Sequence, residues 1–182
     1  SNWKGMMPEQ RKGELHKNIK EALLKFLSDG DQLIVTKTPS TLGIENLNVF
    51  LPELKPIILV RDGRNVVESL VSSFNRKYDD CKREWSESAD RIIEFKKRYP
   101  ETLLVKYENL NAHTKSELIT IFNYLGLETE NLNWDEILKQ EIVGSSQTSG
   151  IKGKVDWAKR LQKDNSFNPN ERYASWSRKN RK

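Results

Sequence analysis

Three apolar runs of four residues recur along the chain: Leu33-Ile34-Val35-Thr36, Ile57-Ile58-Leu59-Val60 and Leu103-Leu104-Val105-Lys106. None alternates with polar residues, and each is too short for a helix. Such runs read as strands buried on both faces, the signature of a parallel sheet rather than a half-wet antiparallel one. The stretches between them carry the helical period. Leu15, Ile19, Ala22, Leu23, Phe26 and Leu27 fall on one face, ended by Gly30, and a further helix is expected over 42–51. Val66, Val67 and Leu70 mark a helix over 64–76. After a charged segment around 77–84, Trp85, Ala89, Ile92, Ile93 and Phe95 mark a longer one ending near Tyr99-Pro100. Leu118, Ile121, Phe122 and Leu125 mark another, stopped by Gly126. The predicted architecture is a single α/β domain over 1–182, with a parallel sheet covered by helices on both faces. Residues 1–12 are expected as a tether or the remnant of a missing N-terminal segment, and 177–182 as a solvated basic tail. A short helix at Trp134–Leu138, a Gly/Ser-rich loop at 144–153 and a helix after Pro169 complete the expectation.

Charge narrows the partners. The chain carries a net charge of +5 and a pI near 9.2, which favours an anionic ligand without choosing among nucleotide, nucleic acid, sulfated glycan or membrane surface. Five tryptophans raise the possibility of nucleic acid, but no basic-aromatic recognition motif accompanies them, and Trp85 and Trp134 sit in helical patterns suited to core packing. Cys81 is the single cysteine, which excludes an intramolecular disulfide and a thiolate zinc cluster, and His16 and His113 are too few for a histidine-rich metal site. No apolar run reaches membrane-span length and no signal-peptide core opens the chain, so a soluble, cytoplasmic protein is expected.

In open α/β sheets ligands bind beyond the carboxyl ends of the strands. Here those ends carry Thr36-Lys37-Thr38, Arg61-Asp62-Gly63-Arg64 and Lys106-Tyr107-Glu108. Arg61 is expected on that rim, with Gly63 allowing a tight turn into a helix whose free N–H groups attract anions. Ser69 follows on the same helix, and an arginine fork with a hydroxyl can hold a dianionic phosphate. Spacing alone leaves open a plainer reading, in which Arg61 pairs with a surface carboxylate and Ser69 is an ordinary helix residue. Arg64 is expected at the surface, pairing with Glu68 at i+4.

Taken in order, "KTPSTL", "FLPELKPIILVRDGRNVVESL", "LLVKYENL" and "IFNYLGL" resemble the sulfotransferase family, in particular its bacterial and tyrosylprotein branches. "VGSSQTSGIKGKVDW" and "FNPNERYASW" resemble the family's C-terminal region, so the likeness spans roughly 33–176. It implies a fold like that of P-loop nucleotide-binding proteins and the donor 3′-phosphoadenosine 5′-phosphosulfate, with no metal required. By motif match Arg61 and Ser69 would bind the donor's 3′-phosphate and Tyr107 would line the nucleotide site. Ser145 and Ser146 would close over the donor, and Lys152 would be a later basic contact. Lys37 would be the catalytic cation, steadying charge on the departing phosphate.

Two departures accompany the likeness. The family's opening strand and its Gly/Ser/Thr-rich loop for the 5′-phosphosulfate have no counterpart in "SNWKGMMPEQRKGE". The acidic residue that some relatives place before the catalytic lysine is Thr36 here, which leaves the general base unassigned, with Glu14 and His16 as candidates by sequence order alone. The acceptor, whether glycan, tyrosyl peptide, lipid or small metabolite, has no motif. A non-catalytic member of the fold that binds nucleotide or a sulfated ligand is the rival reading.

Overall fold

The computed structural model describes residues 9–27 and 34–140, together with Tyr173 and Trp176. Helix α1 (Glu9–Leu27) opens it. A 3-10 turn (Ile44–Asn46) and the one-turn helix α2 (Leu47–Phe50) follow. Strand β1 (Ile57–Val60) then leads into α3 (Gly63–Phe74) and α4 (Tyr78–Arg98). Strand β2 (Leu103–Lys106), α5 (Tyr107–Ala112), α6 (Thr114–Leu125) and α7 (Trp134–Lys139) complete the order. Strands β1 and β2 pair in parallel, Ile57 beside Leu103 through Val60 beside Lys106, with α3 and α4 as the crossover. Parallel strands need such a crossover because their ends lie on opposite sides of the sheet. The result is the expected α/β arrangement, a small parallel sheet flanked by helices.

Several expectations change. The run at 33–36 is no strand where it is described: residues 34–38 are irregular and exposed. A four-residue apolar run becomes a strand only where a neighbouring ladder accepts it, and the sheet of the described residues has two strands. The sheet is consequently not covered throughout, with Leu59 56% and Ile57 37% exposed on β1. Residues 9–12, expected in a tether, belong to α1, and the helix expected over 42–51 is divided by its 3-10 start. The charged stretch at 77–84 is helical from Tyr78, since Asp79 and Asp80 suit the first turn of α4. The Gly/Ser-rich loop and the helix after Pro169 lie outside the described residues.

Helix ends are secured locally. Gly126 closes α6 in the left-handed region (φ 79°), while Lys55 Nζ reaches the Leu125 carbonyl at 3.1 Å. Tyr124 donates its hydroxyl to the Pro56 carbonyl at 3.1 Å, tying α6 to the approach to β1. Burial of this phenol raises its pKa. Lys96 donates to the carbonyls of Pro100 and, at 2.6 Å, of Thr102, closing the turn from α4 into β2. His16, expected in solvent, is half-buried edge-on to Phe50, with ring centroids 4.9 Å apart.

A buried cluster of Val67, Cys81 and Trp176, with Leu70, Val71, Tyr78 and Tyr173 against it, joins α3 to the start of α4. Burial raises the Cys81 thiol pKa, in keeping with a packing role. At the other end of the α3–α4 contact, a Cβ on Gly63 would lie 2.5 Å from the Trp85 ring. Gly63 therefore serves close helix approach as well as the turn that the sequence suggests. Gly63→Ala is expected to destabilise the domain by about 1–3 kcal/mol through overpacking, against the gain of helix propensity that alanine normally brings. Urea unfolding of Gly63→Ala and of Gly63→Ala/Trp85→Leu checks this, the second change recovering most of the loss.

Candidate functional site

The register of the ladder sets the site. Val60 lies beside Lys106, so the chains leaving β1 and β2 emerge at the same level as Arg61 and Tyr107. The Arg61 guanidinium carbon sits over the Tyr107 ring, 4.5 Å from its centroid. Both residues are half-buried, where a cation–π contact contributes about 0.5–2 kcal/mol. One residue on, the Asp62 amide donates to Glu108 Oε1 at 2.9 Å, crossing the same gap. These two contacts fix the turn after β1 against the first turn of α5. The result is a cationic fork resting on an aromatic face at a strand-end rim.

Asp62 alters what the start of α3 can do. Its carboxylate accepts from the Arg64 backbone N–H at 2.9 Å, capping the helix. The same carboxylate takes both Nε (3.0 Å) and a terminal nitrogen (2.5 Å) of Arg64. Hydrogen bonding to Arg64 is the largest cause of the lowered Asp62 pKa, and it also raises the Arg64 pKa. The helix N-terminus expected to attract a phosphate thus already holds a carboxylate. Of the two arginines in the turn, Arg64 is committed to Asp62 rather than to the expected Glu68.

Ser69 is half-buried, one turn beyond the fully buried Asn65 on α3. Lys37 is exposed in the irregular stretch after α1, and the contacts at the rim do not include it. Thr38 Oγ1 bonds within its own turn, accepting from the Ser40 amide at 3.3 Å. Thr41 accepts from Arg91 Nε at 3.1 Å, which docks this turn on α4. The structure therefore brings Arg61 and Tyr107 together, while Lys37 is exposed. Ser145, Ser146 and Lys152 lie outside the described residues. Among those described, no group of three or more His, Cys, Asp or Glu side chains is placed to hold a metal ion. No described helix is long and apolar enough to cross a membrane. Sequence reasoning missed Asp62 and Glu108, although an Asp just before a helical pattern is a recognised capping signal.

The profile described as "Sulfotransferase family" matches residues 7–131, about two thirds of the chain. The chain belongs to the sulfotransferase family. The matched stretch of this sulfotransferase-family protein runs from α1 into the segment before α7 and contains Lys37, Arg61, Ser69 and Tyr107, while Ser145, Ser146 and Lys152 fall beyond it. No curated protein and no solved structure gives a significant match.

The Asp62 cap carries a pH signature. A carboxyl whose folded pKa is depressed stabilises the fold fully above its unfolded pKa of about 3.9, and that contribution fades as pH falls through the folded value. Asp62→Ala is expected to cost about 0.5–2 kcal/mol at pH 7, the usual range for a lost cap. Denaturant curves for wild type and variant at pH 7 and near pH 3 check this, with the gap narrowing at the lower pH.

Proposed function

We propose that this protein transfers a sulfuryl group from 3′-phosphoadenosine 5′-phosphosulfate to a hydroxyl or amine of an acceptor. The observation that carries the reading is the half-buried Arg61 over Tyr107, at adjacent ends of parallel strands in a sulfotransferase-family chain. A guanidinium held by an aromatic face keeps its orientation and presents a fork suited to the donor's 3′-phosphate. Ser69 supplies a hydroxyl donor to the same phosphate. Tyr107 holds the guanidinium on one side and borders the nucleotide on the other. Ser145, Ser146 and Lys152 are assigned to the donor by motif match.

In the reaction the bond between sulfur and the bridging phosphate oxygen breaks as sulfur bonds to the acceptor atom. The acceptor's proton passes to a base. The nucleotide leaves with its 5′-phosphate carrying the extra negative charge. Lys37, assigned by motif match, meets that growing charge with its ammonium, an interaction stronger in the transition state than in the ground state.

The first test is binding. Titration calorimetry is expected to give tighter binding of 3′-phosphoadenosine 5′-phosphate than of AMP, which lacks the 3′-phosphate. Equal affinities overturn the assignment of Arg61 and Ser69. Arg61→Ala is expected to cost about 1.5–3 kcal/mol of affinity for the bisphosphate, the range for a hydrogen bond to a charged group.

The second test separates chemistry from binding. Lys37→Ala is expected to lower single-turnover sulfuryl transfer roughly 100-fold or more while nucleotide affinity changes little. The acceptor is first found by screening with labelled donor. An unchanged rate in a folded variant removes Lys37 from the reaction. Nucleotide binding without transfer to any acceptor class favours a non-catalytic member of the fold.

A further inference from the structure

Tyr173 and Trp176 lie far along the chain from α3, yet both close on it. Trp176 N donates to the Tyr173 carbonyl at 2.9 Å, so the two side chains sit one tight turn apart, with ring centroids separated by 6.1 Å. Residues three apart in such a turn lie on the same side of it, which brings the two rings together. The Tyr173 ring lies under the Arg64 guanidinium, 4.0 Å from centroid to carbon, and Trp176 Nε1 donates to the Glu68 carboxylate. The indole is buried beside Val67 and Cys81 and meets Tyr78 edge-on at 5.3 Å, so α3 and α4 are held from one side chain.

Glu68 immediately precedes Ser69, and Arg64 is fixed through Asp62 to the turn that begins at Arg61. The clasp therefore grips α3 at Arg64 and at Glu68, the residue next to Ser69 in sequence. It restrains rotation of α3 about its axis and draws the Glu68 carboxylate toward the indole N–H. A carboxylate left to rotate beside Ser69 would oppose a dianionic phosphate.

Resting on the function proposed above, we infer that Tyr173 and Trp176 are positioning residues, which set the orientation of Ser69 and Glu68 for recognition of a 3′-phosphate by clasping α3. The inference concerns selectivity for the doubly phosphorylated nucleotide, beyond the stability that any buried aromatic supplies.

Trp176→Phe keeps an aromatic ring in the cluster and removes only the N–H donor to Glu68. Calorimetry with 3′-phosphoadenosine 5′-phosphate and with AMP, on the full chain, reads the consequence. Wild type is expected to prefer the bisphosphate, and Trp176→Phe to lose about tenfold of that preference, the size of one coupling within a shared network. AMP affinity is expected to stay constant. Tyr173→Leu, which leaves the buried indole in place, is expected to reduce the preference in the same direction. Glu68→Gln, which retains an acceptor for the indole, is expected to keep most of it. A preference unchanged in both Trp176→Phe and Tyr173→Leu overturns the clasp while leaving the nucleotide reading standing. A wild type that binds both nucleotides equally overturns that reading and the clasp with it. Parallel loss of both affinities identifies a general structural role and also overturns the inference.

Discussion

The parallel ladder between β1 and β2 ends with Val60 beside Lys106, and the site depends on that pairing. Backbone hydrogen bonds hold the two strands at the same height, so the next residue on each side is delivered to the same rim. Arg61 and Tyr107 are 46 positions apart in sequence and 4.5 Å apart, guanidinium carbon to ring centroid, in the fold. A slip of one residue in a strand would turn each side chain to the opposite face and separate them. The Glu108 carboxylate on the Asp62 amide adds a second link across the same gap.

From that pairing follows a division of labour between two arginines of identical chemistry. Asp62 caps α3 and engages Arg64 through two nitrogens, so Arg64 serves the architecture of the helix start. Arg61, still at the strand end, rests on an aromatic ring. The positive end of α3 is answered internally by a carboxylate, so in the proposed function attraction of the donor's 3′-phosphate falls to side chains. Anion recognition by an arginine fork demands orientation, and an aromatic platform supplies it at little conformational cost.

The helices around this rim are held by contacts of different kinds. Gly63 lets α4 approach until Trp85 lies against the helix backbone. At the opposite end, Trp176 fills the space between α3 and α4 and hydrogen-bonds Glu68. The sheet itself is the lightly covered part, with Leu59 largely exposed on β1. Order at the rim thus comes from its flanking helices and their caps more than from enclosure of the strands.

Much of the α/β pattern was legible in the chain. Two of three apolar runs are strands, and the helices at 64–76, near 85–99 and ending at Gly126 fall close to where apolar periodicity puts them, because both signals are local and repeat over several turns. The run at 33–36 illustrates the limit: its composition suits a strand, yet the described residues 34–36 join no ladder, and pairing is not a property of a run alone. Arg61 and Tyr107 could be named from motif order, and their contact depends on register. The roles of Asp62, Glu108 and Glu68 were hidden because a carboxylate's partner is chosen by geometry: Glu68 has Arg64 one turn away in sequence but meets Trp176, 108 residues on. Sequence by itself determined the alternation of strand and helix and the family to which the chain belongs. Only tertiary structure decided which charged groups meet, because packing sets the separations that hydrogen bonds and ion pairs require.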